Sequence, residues 1–379
     1  MRADKLAVCH IASGDLWAGA EAQIATLLRN LAARKELELC AILLNPGRLA
    51  REVQSIGIEV KVLPESQTGF FEIYSQAAGF LNNRGVRILH SHRYKENVLA
   101  AMLARRCRIP FVVRTQHGLP EPVKGIGHLK QRCLRSLDRF VARRATDRVI
   151  CVSSEMSTPL ARQMGSEKVV VIPNGVDTAV VRSGLSVSEA KDRLGMPRDC
   201  CVIGNVGRLE PIKRLDIFLN AARLIVAENP STRFVIAGEG REAAKLRGMA
   251  QSLGLPDTVS FLGHRDDVYD VLRAMDILVL CSDHEGLPMV LLEAMSLGVA
   301  VVARDVGGLP EVIQNGVNGI ILTSGEPVDL ARVCLQTLDD EPLRQRLAQA
   351  GARLVSENYS AEMTGARVAQ LYASLAGAR

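Results

Sequence analysis

Short runs of Val, Ile, Leu and Ala alternate with longer amphipathic stretches along almost the whole chain. A bounded apolar run of four to eight residues is what a strand buried on both faces requires, as in a parallel sheet covered by helices. Such runs predict strands at 6–11, 38–44, 59–63, 87–90, 111–114, 148–152 and 168–172. In the second half they fall at 201–206, 233–237, 258–262, 276–280, 299–303 and 319–322. Apolar positions at helical spacing predict helices over 20–34, 96–106, 214–227 and 329–337, and the Ala-rich tail, 360–379, has a helical pattern. The βαβ alternation predicts an α/β fold of two Rossmann-like, doubly wound parallel sheets. The break falls at Ile172-Pro173-Asn174-Gly175-Val176-Asp177, where Pro, Asn and Gly mark a turn. The expected division is a first domain over 1–174, a linker over 175–198 and a second domain over 199–359, with the tail helix packed back on the first. Open α/β sheets bind ligands beyond the carboxyl ends of their strands. The site is therefore expected there, in a cleft between two facing domains.

Composition narrows the class. A chain of 379 residues exceeds what one core usually supports, so its length suggests two or three domains. Its nine cysteines are scattered, odd in number and without a Cys-x-x-Cys pair, which argues against a disulfide framework or a zinc site and fits a reducing cytosol. No run of 18 apolar residues is present, so no transmembrane helix is expected. The run at 6–11 is too short for a signal-peptide core and reads as a first strand.

The net charge of +6 is uneven: residues 1–175 carry 26 Lys/Arg against 15 Asp/Glu, or +11, and the remainder 21 against 26, or −5. The first half is thus suited to an anionic surface. Within 127–149, Lys130, Arg132, Arg135, Arg139, Arg143, Arg144 and Arg148 alternate with Leu129, Cys133, Leu137, Phe140 and Val141 at helical spacing. A basic amphipathic helix of this kind lies on an anionic membrane or packs on its own domain with a solvated face, and both readings stay open. Aromatic residues for stacking on single-stranded nucleic acid are missing nearby, so nucleic acid is not an expected partner.

The chemistry concentrates in the second half. Glu285 and Glu293 stand eight residues apart in His284-Glu285-Gly286-Leu287-Pro288-Met289-Val290-Leu291-Leu292-Glu293. Glu285 is expected in a turn and Pro288 in the first turn of the following helix, where its missing N–H costs nothing. Glu293 has Met289, Val290, Ser296 and Leu297 as helical neighbours, apolar company in which a carboxylate needs hydrogen-bond donors. Two acceptors around an anion-attracting helix start suit a ligand carrying both hydroxyls and phosphates. In Gly207-Arg208-Leu209-Glu210-Pro211-Ile212-Lys213, a glycine permits close backbone approach while Arg208 and Lys213 bracket the turn, ready for one diphosphate or for water. The small-residue loop Ser13-Gly14-Asp15-Leu16-Trp17-Ala18-Gly19 precedes a helix and reads as an anion site or an ordinary turn. His117 follows a strand end, where it is structural or functional. With His90 and His92 it suggests a metal only weakly, since no carboxylate or cysteine shares their spacing. Glu239 and His264 also follow strands, in loops that either touch a nucleoside or simply connect elements.

Taken together these segments resemble the retaining, nucleotide-sugar-dependent glycosyltransferases of the GT-B fold, in particular family 4 (glycosyl transferases group 1). The resemblance spans essentially the whole chain and is densest over 204–318, where it continues through Val306-Gly307-Gly308-Leu309-Pro310-Glu311 and Asn315-Gly316-Val317-Asn318. It implies that Glu285 holds donor-sugar hydroxyls and Glu293 the ribose hydroxyls. Arg208 and Lys213 would stabilise the departing diphosphate. The N–H groups around Gly286, Leu287, Pro288, Met289 and Val290 (the proline excepted) would contact sugar or phosphate. His117 would stand beside the donor sugar near the reacting carbon, and Gly19 would admit the phosphate. The first loop departs from the family pattern, having one glycine before Ala20-Glu21 where many relatives have two. No Asp-x-Asp motif is present, so transfer without a metal or other cofactor is expected. The implied partners are a UDP- or GDP-sugar and a saccharide or lipid-linked acceptor of envelope or exopolysaccharide synthesis. The implied location is the cytoplasm or the inner face of its membrane. A non-hydrolysing nucleotide-sugar epimerase and a silent nucleotide-sugar scaffold are the competing readings. A nicotinamide dehydrogenase is disfavoured because Gly-x-Gly-x-x-Gly is missing at the glycine turn.

Overall fold

A computed structural model describes residues 5–14, 17–118, 140 and 142–377. The chain forms two compact units, one of Met1–Gly175 with Ala361–Arg379 and one of Val176–Ser360. Each is an open parallel sheet with helices on both faces.

In the first unit the strands are β1 (Leu6–Ala12), β2 (Leu37–Leu43), β3 (Glu59–Val62), β4 (Ile88–Ser91), β5 (Phe111–Gln116), β6 (Arg148–Cys151) and β7 (Val169–Val171). Their order across the sheet is β3-β2-β1-β4-β5-β6-β7. Residues alternate between faces, as a pleated strand requires. Cys9, Leu89 and Val112 point to one side, where the helices Phe70–Leu81 and Tyr94–Cys107 cover them. Val8, Ile88 and Val113 point to the other, where Leu27 and Leu31 of the helix Gly19–Ala32 meet Val368, Tyr372 and Leu375 of the C-terminal helix Ala361–Gly377.

The second unit contains β8 (Val202–Val206), β9 (Arg233–Ala237), β10 (Val259–Gly263), β11 (Ile277–Leu280), β12 (Ala300–Arg304) and β13 (Ile320–Leu322), in the order β10-β9-β8-β11-β12-β13. Ile203, Phe234, Ile277 and Val302 pack with Phe218 and Leu219 of the helix Leu215–Glu228 and with Cys334 of the helix Pro327–Asp339. In each sheet sequence-distant strands meet at one place, β1 beside β4 and β8 beside β11, where the chain changes its direction of winding. Connections diverge there and leave room for ligands beyond the strand ends.

The stretch 175–198, expected as a linker, is structured and belongs almost wholly to the second unit. It contains the helix Val187–Arg193, opened by a capping box in which Ser186 and Glu189 serve each other's backbone N–H. Lys191, buried, donates to Cys200 O at 2.8 Å and to Asp276 at 3.0 Å, and Ser183 donates to Asp270 at 2.7 Å. Lys191 and Ser183, polar residues of the expected linker, are thus tied into the second unit by hydrogen bonds. The basic stretch 127–149 falls mostly outside the described residues. Trp17 covers the core beside β2, with Arg48 stacked 4.3 Å from its ring centroid.

Candidate active site

In the second unit the loops after β8 and β11 are tied into one body. Asp283 N donates to Ile212 O at 2.8 Å, Cys281 Sγ donates to Arg214 O at 3.2 Å, and Arg214 reaches Asp283 at 3.1 Å. Arg304, at the end of β12, holds the same loop through Ser282 O at 3.2 Å and Asp283 at 2.6 Å. This frame places Lys213 Nζ 2.6 Å from Glu285 Oε1, which also accepts from Ser282 Oγ at 2.6 Å. Glu285 is buried, so its charge needs these donors. Its second oxygen, Oε2, makes no hydrogen bond with the described residues and can accept from a ligand.

Glycine backbones allow the loops to close in. Gly307 has φ +61, and a Cβ there would lie 1.9 Å from Glu285 O; Gly308 N donates to Gly286 O at 2.8 Å. A Cβ on Gly238 would lie 1.9 Å from Gly207 O, so the loops after β8 and β9 touch backbone to backbone. Only glycine tolerates both the approach and the left-handed backbone.

The helix Met289–Ser296 follows. Pro288 stands at its N-cap, one residue earlier than the expected first turn, and has no side-chain acceptor to spend on the helix N–H groups. Gly286, Leu287 and Met289 are buried and Val290 is half-buried. Six of the eight helix residues are buried, and Glu293 is the one charge among them. Burial pushes its carboxyl up to about 7, and its side chain has no hydrogen-bond partner among the described residues.

The other expected residues surround this frame at strand ends. Gly207 follows β8, with Arg208 exposed beside it. Glu239, exposed after β9, has its Oε1 3.8 Å from where a Cβ of Gly263 would lie, and His264 is the next residue, 3.8 Å from Asp266. Lys213 and Glu285 are therefore brought into contact, and Glu239 is brought near His264. Ser282, Arg304 and Gly307 as supports were not anticipated. A serine three residues before Glu285, at the end of an apolar run, was the available signal.

In the first unit Gly19 is exposed and opens the helix Gly19–Ala32, whose buried Glu21 pairs with Arg93. His117 lies just past β5, its Nε2 3.2 Å from His92 Nδ1. His92 Nε2 is 3.0 Å from His10 Nδ1, and His10 Nε2 is 3.2 Å from the Tyr372 hydroxyl. That hydroxyl is 2.5 Å from His90 Nδ1, and His90 Nε2 is 2.7 Å from Thr115 Oγ1. Burial pushes His10 and His117 down to about 3, the latter helped by Arg93, and His90 and His92 well below the usual histidine range. His10, His90 and His92 bring ring nitrogens within 4.8 Å of one another. All six of those nitrogens are already paired, no carboxylate joins them among the described residues, and Arg93 adds positive charge beside His92. The cluster is better described as a hydrogen-bonded chain than as a cation site.

Two open parallel sheets, each with helices on both faces, have the architecture of the GT-B class of sugar-transfer proteins. Two family models match in succession, Glycosyltransferase Family 4 over residues 17–180 and Glycosyl transferases group 1 over residues 187–354. The chain belongs to family 4 of the GT-B glycosyltransferases, and it is a glycosyltransferase. It is 29% identical over 352 residues to D-inositol 3-phosphate glycosyltransferase of Streptomyces avermitilis, covering 88% of this chain and 75% of that one. It is also 29% identical over 265 residues to the Escherichia coli UDP-Gal:alpha-D-GlcNAc-diphosphoundecaprenol alpha-1,3-galactosyltransferase, covering 68% and 67%. The crystal structure of Anabaena HepE with UDP and glucose superposes with a TM-score of 0.85 at 22% identity, over 97% of this chain and 99% of that one.

Proposed function

We propose that the chain is a retaining, metal-independent hexosyltransferase. It would move a sugar from a UDP- or GDP-sugar to a hydroxyl of a lipid-linked or polysaccharide precursor. The observation that carries this reading is the buried Glu285, held by Lys213 and Ser282 beside a helix start, with a second buried carboxylate, Glu293, that has no hydrogen-bond partner among the described residues. Sugar and ribose hydroxyls are donors that both carboxylates can accept from. Lys213 and Arg208 supply positive charge toward a diphosphate, and the backbone N–H groups of Met289 and Val290 extend it.

In the reaction the bond between the anomeric carbon and the phosphate oxygen breaks, and a bond to the acceptor oxygen forms on the same face. The acceptor proton passes to the departing phosphate oxygen, so no separate base is required. Positive charge builds on the carbon and negative charge on the phosphate, and fixed cations favour that separation. Gly207, Glu239 and His264 are assigned to the nucleotide side. Gly19 is assigned to the phosphate and His117 to the donor sugar.

The test is transfer from a panel of nucleotide sugars by the intact protein and by Arg208→Ala and Lys213→Ala. Each substitution should lower kcat about 100-fold or more, the loss seen when one fixed donor to a developing oxyanion is removed. A wild-type rate in both variants overturns the assignment. The same assay in excess chelator should run undiminished. The surplus of positive charge in residues 1–175 supports a peripheral place on an anionic membrane. Equal binding to neutral and anionic vesicles at low salt would rule that out. An epimerase would instead isomerise the donor with no acceptor present.

A further inference from the structure

We propose that Thr115, His90, Tyr372, His10 and His92 form one directed hydrogen-bonded chain that fixes the tautomer of His117. The proton is placed on His117 Nε2, and Nδ1 is left as an acceptor for a substrate hydroxyl. The role in transfer rests on the reading of His117 as a residue beside the donor sugar.

The chain is built by the sheet. His10 and His90 are register partners on β1 and β4, and His90 faces Thr115 of β5. His10, His90 and Thr115 lie two residues beyond Val8, Ile88 and Val113, so they share the face covered by the C-terminal helix. That helix supplies Tyr372, which is fully buried, as are His10, His90 and His92 at 0–1% exposure. His117 ends the chain: its Nε2 is engaged, and its Nδ1 is buried with no partner among the described residues.

A neutral imidazole has one N–H and one lone pair, so a ring that accepts on one nitrogen must donate from the other. A phenol likewise gives one proton. The direction of a single bond therefore sets every other bond in the chain. His90 meets two hydroxyls, Tyr372 at Nδ1 and Thr115 at Nε2, and a neutral ring accepts from only one of them. The phenol is the more acidic donor, so its proton lies toward His90 and its oxygen is left to accept from His10 Nε2, 3.2 Å away. His90 then donates from Nε2 to Thr115. On the other side His10 Nε2–H donates to the Tyr372 oxygen, His92 Nε2–H to His10 Nδ1, and His117 Nε2–H to His92 Nδ1. His117 Nδ1 is left with its lone pair. Tyr372, 255 positions from His117 in sequence, thus acts on it as a positioning residue.

The experiment uses the full chain with isotope-labelled histidines and long-range proton–nitrogen spectra, together with transfer kinetics. The wild type should show His117 protonated at Nε2. In Tyr372→Phe, His10 Nε2–H would face a ring with no acceptor, a poor place for a buried N–H. The three-histidine segment should then reverse and move the His117 proton to Nδ1. Loss of one aligned acceptor should lower kcat about tenfold, with donor KM unchanged. Thr115→Val, close in shape, removes the far acceptor and should shift the same signal if Tyr372→Phe does not fold. A wild-type His117 protonated at Nδ1, or a tautomer unmoved in the folded variants, overturns the chain. A moved tautomer with wild-type kcat overturns the positioning role. A wild-type protein that binds no nucleotide sugar overturns the proposed function instead, while the tautomer result still stands.

Discussion

At the scale of single residues, Glu293 separates function from stability. Its carboxyl ionises near 4.5 in ordinary surroundings and at about 7 in the fold. The folded state holds the proton more tightly than the unfolded chain. Its contribution is therefore most favourable below about pH 4.5 and is lost as pH rises through about 7, a change of about 3 kcal/mol over that interval. Glu293→Gln should melt several degrees above the wild type at pH 8, with the difference shrinking toward pH 5. The same variant should bind a nucleotide sugar at least about tenfold more weakly, since it loses an ionic acceptor. Those two results together would mark Glu293 as a residue retained for a ligand at a cost in stability. Identical melting curves at pH 8 would show the carboxylate to be solvated and remove this account.

At the scale of elements, the strands were legible because a strand buried on both faces has to be an unbroken apolar run. All thirteen runs became strands, each within two residues of the expected ends. The helix Val187–Arg193 was missed because polar composition outweighed its Ser186–Glu189 cap. Ser186→Ala should therefore lower stability by about 1 kcal/mol, measured by denaturant unfolding; no change would mean the box is redundant. The meeting of Lys213 with Glu285 depends on two loops 72 residues apart that share a sheet's switch point, a relation that spacing along the chain does not display. The histidine chain was illegible for the same reason, since its members come from three strands and the last helix. Gly307 is the element-level test of the site. Gly307→Ala places a methyl against Glu285 O and forces a left-handed alanine. It should cost at least about 2 kcal/mol and weaken nucleotide-sugar binding in titration calorimetry. Native-like values for both would mean the two loops can part freely.

At the scale of the whole molecule, each unit has its own sheet and core, yet the first is completed only by the last helix. A chain ending at Ser360 would lack Val368, Tyr372 and Leu375 from that core. Calorimetry of such a chain should lose the first unit's cooperative transition and keep one that UDP or GDP raises, because a ligand stabilises the state that binds it. An unchanged thermogram would show the last helix to be dispensable.

The second unit begins and ends at one place. Val176 pairs in parallel with Ser360, and its N–H donates to Tyr359 O at 2.9 Å. Residues 176–360 are thus a cassette with its two ends clasped, spliced into the continuous topology of the other unit. Under the proposed function, recombination at these two seams would exchange one nucleotide-sugar reader for another without cutting a sheet. That would give relatives of this chain a simple route to new donors while the histidine chain and its tyrosine stayed on the recipient side of both joints.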